Sequence, residues 1–298
     1  MIERKTYRVA GHVFSIEAEG YPALWKRAEE NYGPFEVPVS AEGTLFDISV
    51  CSHVDKEDAV LIYTNKDHVE SGFIVISVFR SDQGHYFEFT QPCSEHVNGA
   101  MFIDNSLKSA RLALEGSEFL QWLTFNTAVN FCYMLAASCL DTVLTHASCI
   151  IYEGKAYLFL GKSGTGKSTH SRMWLNAIEG TELMNDDHPV VRIGKDGKAM
   201  AYGSPWSGKT PCYKNMQAPV GGVIRIVRAP HNKARRLSPI ESYASLMTSC
   251  SGMTWESDLA DGRDRTIQSI IASAPCWAME CLPEENAAIV CCKSVSMP

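Results

Sequence analysis

Eight consecutive residues near the middle of the chain have the types and spacing to bind a phosphate chain: Gly161-Lys162-Ser163-Gly164-Thr165-Gly166-Lys167-Ser168. They fit G-x-x-x-x-G-K-[ST] at every fixed position. The glycines let the backbone curl so that successive amide N–H groups face an anion. A helix starting at Lys167 would add its positive N-terminal end. Lys167 has the reach for the β- and γ-phosphates, the Ser168 hydroxyl suits Mg²⁺, and Thr169 extends the site. A match by chance arises in about one chain in a hundred of this length. The context weighs against chance, because an apolar β-prone run, residues 155–160, precedes the loop and a helical pattern follows it.

Asp186 and Asp187 close an apolar stretch, the first of them 19 residues beyond Lys167. Carboxylates at a strand end beside a triphosphate can hold Mg²⁺ or its waters. One can also take the proton of an attacking hydroxyl. Adjacent carboxylates raise one another's pKa, which suits a base. The residues alone do not say which of the two does which. Two weaker candidates lie downstream. The loop Gly203-Ser204-Pro205-Trp206-Ser207-Gly208-Lys209 carries a cation between turn-forming residues. Arg225, Arg228, Arg235 and Arg236 are cations suited to a transferring phosphate.

The elements that must position these residues are legible in outline. Residues 1–115 are β-rich, with β-prone runs at 6–10, 12–18, 44–51, 59–63, 72–79 and 86–91 and one helix at 22–32 that opens on proline. Asn65-Lys66-Asp67 is a turn. Ser117 caps a helix running to about residue 140. Its apolar stretch, residues 119–140, is interrupted by Gln121, Asn126 and Asn130, so a buried core helix is expected rather than a membrane span. A hairpin follows, 146–152 and 155–160, turning at Glu153-Gly154. Then come a helix at 167–177, a strand ending at Asp187, strands at 190–193 and 222–227, helices at 240–248 and 263–274, a strand at 276–281 and a last helix from 283. The expected fold is mixed α/β. A β-rich domain, 1–115, precedes a phosphate-loop domain, 116–298, that includes the long helix.

Bulk properties limit the partners. The chain has 298 residues, 45% of them hydrophobic, which suits a folded protein with a sizeable core. A net charge of −7 argues against nucleic acid and anionic membrane, both of which need a basic face. No apolar segment follows the first polar residues, and the eleven cysteines lack a Cys-x-x-Cys pair. Reduced thiols in a cytoplasmic protein are therefore expected.

The stretch FLGKSGTGKSTHSRMWL, followed by LMNDDHPVVR, resembles the nucleotide core of the HPr kinase/phosphorylase and phosphoenolpyruvate carboxykinase superfamily. The resemblance covers roughly residues 144–230. It rests on the Ser-Gly-Thr-Gly-Lys loop, the short step to a paired aspartate, and a histidine, His146, 15 residues before Gly161. It implies a phosphate-loop domain of HPr-kinase type, with ATP and Mg²⁺ as cofactors. It implies that Lys167 and Ser168 hold phosphate and metal, that Asp186 and Asp187 divide base and metal support, and that His146 orients them. A homo-oligomer is a further implication. The glycine-rich acidic signature that HPr kinases carry after the dyad is missing, so their acceptor does not transfer.

The expected function is an ATP- and Mg²⁺-dependent kinase acting on a hydroxyl of a protein serine or a small metabolite. The first 115 residues are expected to select that acceptor. A carboxykinase-like lyase and a nucleotide-gated regulator without turnover are the rivals. The scattered cations of the N-terminal residues argue against the lyase, and the intact acid pair argues against the pure binder.

Overall fold

The structure is a computed structural model that describes residues 2–39, 43–68, 74–92, 94, 96–208 and 210–296. It is a mixed α/β protein with two mixed sheets and six α-helices among the described residues. The chain divides into two compact units, Met1–Ala137 and Ser138–Pro298.

The first unit holds β1 (Ile2–Val9), β2 (His12–Glu19), α1 (Pro22–Tyr32), β3 (Asp47–Cys51), β4 (Val60–Thr64), β5 (Val75–Arg80), β6 (Gly84–Thr90), β7 (Val97–Asp104), β8 (Ser109–Leu114) and α2 (Glu118–Ala137). Its sheet runs β1-β2-β3-β8-β7-β6-β5-β4. Only β3 is parallel to its neighbours. The core is aromatic. Phe14 stacks on Phe46 with ring centroids 5.0 Å apart, and Tyr32 meets Trp122 and Phe125 of α2 edge-on.

That packing places α2 in this unit, which corrects the expected boundary at 115/116. The unit ends after α2, because the helix lays its aromatic face on α1 and the sheet. Tyr133 Oη also donates to the Val9 carbonyl at 3.0 Å. The helix is buried as expected, and no helix of the described residues is long and apolar enough to cross a membrane. Ser117 Oγ does accept from Leu120 N, at 3.4 Å.

Several strands were not marked in the sequence. In β8, SARLAL, the residues are good helix formers. Pairing with β3 and β7 overrides that propensity, and Ala110, Leu112, Ala113 and Leu114 are all buried. β7 was masked by a central Gly99, whose lack of a side chain admits Ala113 O and the Thr124 methyl within 2.6 Å of where a Cβ would stand.

The second unit holds β9 (Thr142–Leu144), β10 (Ala147–Tyr152), β11 (Lys155–Leu160), α3 (Lys167–Ala177), β12 (Glu182–Asp187), β13 (Val190–Ile193), β14 (Ala199–Tyr202), β15 (Gln217–Arg228), β16 (Lys233–Arg236), α4 (Pro239–Met247), α5 (Ser257–Ser273), β17 (Cys276–Cys281) and α6 (Glu285–Val295). The sheet order is β12-β10-β11-β15-β14-β13-β9, with β17 between β15 and β16. β11, β15 and β17 are parallel neighbours. β12 runs in the same direction, because it is antiparallel to β10 and β10 is antiparallel to β11. Four strands therefore end at one edge.

Helices cover both faces of this sheet. Met173 and Trp174 of α3 pack with Ala287, Ala288 and Cys291 of α6 over Tyr157, Phe159 and Ile224. Leu246 of α4 and Ile267 and Ile270 of α5 cover the opposite face. Trp174 is fully buried against Tyr157 and Phe159. Trp174→Ala should cost about 3–5 kcal/mol and loosen the helix that follows the phosphate loop. The expected hairpin at Glu153-Gly154 is present, with φ of +49° and +72° as a tight two-residue turn requires.

Candidate active site

β11 ends at Leu160 and the loop opens at Gly161, whose φ is +154°. A Cβ there would stand 2.5 Å from Thr165 Oγ1, so the first position of the loop admits only glycine. Thr165 ties the loop into its curl. Its N–H and its hydroxyl both donate to the Lys162 carbonyl, at 3.1 and 2.7 Å. Gly166, at φ +110°, starts α3 and leaves its N-terminus with no side-chain cap. That arrangement leaves first-turn N–H groups for an anion.

Arg228, the last residue of β15, donates from its guanidinium to the carbonyls of Gly164 and, at 3.4 Å, Thr165. Both carbonyl oxygens are drawn toward the cation. The N–H of the Thr165–Gly166 peptide, antiparallel to its carbonyl, is turned the other way. Of the four arginines singled out in the sequence, Arg228 is the one bonded to the phosphate loop. Arg225 is exposed on β15. Arg235 pairs with Glu241 at 2.8 Å, and Arg236 lies 4.9 Å over the Trp277 ring.

Lys167 is buried, and its ammonium donates to Gly161 O at 3.0 Å and contacts His146 Nε2 at 3.1 Å. An ammonium only donates, so His146 Nε2 accepts and the neutral ring carries its proton on Nδ1. Burial lowers the His146 pKa, the nearby Lys167 charge lowers it further, and the Asp187 carboxylate opposes both. Burial likewise lowers the Lys167 pKa, against the pull of Asp187 and Asp186.

β12 delivers the acid pair. In register with β10, Asp186 lies opposite Ser148 and Asp187 opposite Ala147. Continuing that register puts His188 across from His146, and their rings stack 5.9 Å apart at 14°. Asp187 sits between them, with Oδ1 3.5 Å from His146 Nε2 and Oδ2 3.1 Å from His188 Nδ1. Burial alone would raise the Asp187 pKa. The His188 hydrogen bond and the charges of His188, His146 and Lys167 outweigh it, so the carboxyl lies below the usual carboxylate range.

Asp186 is the contrasting member. It is 7% exposed, and its Oδ1 is buried with no hydrogen-bond partner. A buried carboxylate oxygen without a donor is costly, and a group that arrives with a ligand is one way to satisfy it. Asp186, Asp187 and the Ser168 hydroxyl are oxygen groups of the kind Mg²⁺ takes when phosphate oxygens complete its shell. Among the described residues no three His, Cys, Asp or Glu side chains form a metal cage of their own.

Asn185 supports the pair from the buried side. Its Nδ2 donates to Ser204 Oγ at 3.2 Å and Trp206 O at 3.2 Å, and its Oδ1 accepts from Asp187 N at 2.9 Å. Ser204 Oγ donates to His188 O at 2.6 Å. The Pro-Trp loop therefore braces the dyad. Gly208 passes so close that a Cβ would meet Asp186 O at 3.0 Å, while Lys209 lies outside the described residues.

The structure thus brings Lys167, His146 and Asp187 into one network, with Asp186 next along the strand. Ser168 and Thr169 lie on the first turn of α3, and Lys162 and Ser163 are exposed on the loop. His188, Asn185 and the latch role of Arg228 were missed in the sequence. His188 and Asn185 flank the aspartates directly, and that adjacency was the available signal. The cysteines resolved as free thiols include buried Cys132, Cys149 and Cys291, whose pKa values burial raises. Comparison with known proteins finds no matching family model and no matching curated sequence.

Proposed function

We propose that this chain is a Mg²⁺-dependent kinase of the HPr-kinase/carboxykinase type, transferring the γ-phosphoryl group of a nucleoside triphosphate, ATP in the first instance, to a hydroxyl. The observation that carries this reading is the Lys167–His146–Asp187 network, which ties a complete phosphate loop to an acid pair at one sheet edge. In this reading the loop N–H groups and Lys167 bind the triphosphate. Ser168 and Asp187 would hold Mg²⁺, which would neutralise charge on the phosphate oxygens.

The two aspartates take different roles. Asp187, kept ionised by the His188 hydrogen bond and the nearby ammonium, is a poor base and a good anchor for positive charge. Asp186, with a buried oxygen open to one more donor, accepts the proton of the acceptor hydroxyl. The acceptor oxygen forms the new bond to the γ-phosphorus. The bond to the bridging oxygen breaks, and the nucleoside diphosphate leaves with that electron pair. His146 Nε2 accepts from Lys167 and so fixes the ammonium near Asp187. The acceptor is a protein serine or a small hydroxyl metabolite, and the first unit is the part proposed to choose it.

Incubating the purified chain with γ-labelled ATP, Mg²⁺ and candidate acceptors tests this. Label should move to an acceptor in a Mg²⁺-dependent manner and stay in ATP with Asp186→Asn. Equal transfer by that variant would overturn the role of the dyad.

A further inference from the structure

The buried side of Asp186 has an unanswered acceptor. Its Oδ1 is shut off from solvent without a hydrogen-bond partner, while Oδ2 is not closed off in this way. Across the sheet, in the register of β10 and β12, the residue opposite Asp186 is Ser148. Directly opposed residues share a face, with Cβ atoms about 4.5–5.5 Å apart. The Ser148 side chain therefore stands on the same face as the Asp186 carboxyl.

That face is the one α3 covers. Ser148 Oγ and Ser171 Oγ of α3 lie 2.6 Å apart, and both residues are 1% exposed. Ser171 comes one helical turn after Lys167, so the pair links β10 to the helix that opens on the phosphate loop. Each hydroxyl has one proton to donate. One of the two protons is used in the bond between them. The other has no acceptor among the described residues. A buried O–H without an acceptor and a buried carboxylate oxygen without a donor thus occupy opposed positions on one face of neighbouring strands. Each is destabilising alone. A turn of the Asp186 carboxyl about χ2, a broad torsion, moves Oδ1 without disturbing the serine pair.

We propose that Ser148, backed by Ser171, is a positioning residue for Asp186. Ser171 donates to Ser148, and Ser148 donates to Asp186 Oδ1. The proposal rests on reading Asp186 as the base of phosphoryl transfer and adds what aims it. Held at Oδ1, the carboxylate presents Oδ2 to the acceptor hydroxyl. The acceptor proton passes to Oδ2 as the acceptor oxygen bonds the γ-phosphorus. Oδ1 stays a carbonyl-type acceptor for Ser148 throughout. Hydrogen bonds to an ionised group are the strong ones, and a chain of donors polarises along its length.

Turnover of Mg·ATP by the full chain, with glycerol as the hydroxyl probe, tests this. ADP release counts transfer to glycerol and to water alike. Ser148→Ala should lower kcat about tenfold, the scale of one hydrogen bond to a charged group. KM for Mg·ATP should not change, which also reports an intact site. Ser171→Ala should lower kcat less, because Ser148 keeps its proton for Asp186. On an Asp186→Asn background, Ser148→Ala should have no further effect, since the base it aims is gone. Equal losses from the two serine variants would reduce the pair to a tie between helix and strand and overturn the role. A loss that persists in full on the Asp186→Asn background would do the same, as would an unchanged kcat in Ser148→Ala. Absence of ADP release by the native chain would overturn the phosphoryl-transfer reading itself, and this role with it.

Discussion

The two units are both built on large mixed sheets, yet only one assembles a buried polar network of this kind among its described residues. In the first unit most strands are antiparallel, and charged side chains pair near the surface. Lys5 bonds Glu29 at 2.7 Å and Glu36 at 3.3 Å, and Lys56 bonds Glu88 at 2.9 Å. Such pairs contribute about 0–1 kcal/mol each. In the second unit, four strands running one way end together. Their ends carry the phosphate loop, Asp186-Asp187 and Arg228. An ammonium, a carboxylate and two imidazoles then meet where water is partly excluded. Burying charge is costly, so sites that do so repeatedly are where function is found. Strand direction, more than strand content, separates the unit that carries the candidate site from the other.

The sharpest way to break that contrast is to neutralise one acid in each unit. Asp186→Asn should lower phosphoryl transfer by about 10²–10⁴-fold while thermal melting moves by only a few degrees. Glu29→Gln should leave transfer unchanged and alter stability by about 0.5 kcal/mol or less. Comparable losses of activity from both would dissolve the distinction.

Next in size is a pH effect in the second unit. His170 has a folded-state pKa lowered from 6.5 to about 4, so the unfolded chain binds the proton first. Stability should be level with respect to this group above pH 6.5 and fall as pH drops toward 4, by about 3 kcal/mol. Urea unfolding across that range measures it, and His170→Gln should flatten the slope. The Asp187 pKa is lowered as well, so its contribution is lost in the same direction. Its contribution is complete above the ordinary carboxylate value and disappears as pH falls through its depressed folded value.

Arg228→Gln should have a smaller effect. Losing the guanidinium that draws back two loop carbonyls should weaken triphosphate binding by about tenfold, read by calorimetry, with the fold retained because the residue is exposed. His188→Asn sharpens the same picture by direction alone. It removes a partner that keeps Asp187 ionised, so the acid limb of the pH–rate profile should move to higher pH. An unshifted limb would remove His188 from the site.

The chemistry was more legible in the sequence than the frame that holds it. The loop declared itself because its glycines, lysine and serine act locally, through backbone curl and one helix start. The helix at Lys167–Ala177 and the strand at Cys276–Cys281 match their sequence expectations residue for residue. Long-range packing was not legible. β8 went unmarked because its residues favour helix, and the long α2 was assigned forward because nothing in its nearly uniform apolar surface says which core it joins. Asp186 and Asp187 were seen as a pair, but their different surroundings depend on His146 across the sheet and on the Ser204–Trp206 brace.

The most direct measurement of the central claim is calorimetric titration of Mg·ATP into the full chain and into Lys167→Ala. The expected result is one site per chain in the native protein and a loss of about 2–4 kcal/mol in the variant, the scale of removing one electrostatic donor from a bound phosphate. Equal affinity in the two proteins, or no binding to the native chain, would contradict the assignment of this sheet edge as a nucleotide site.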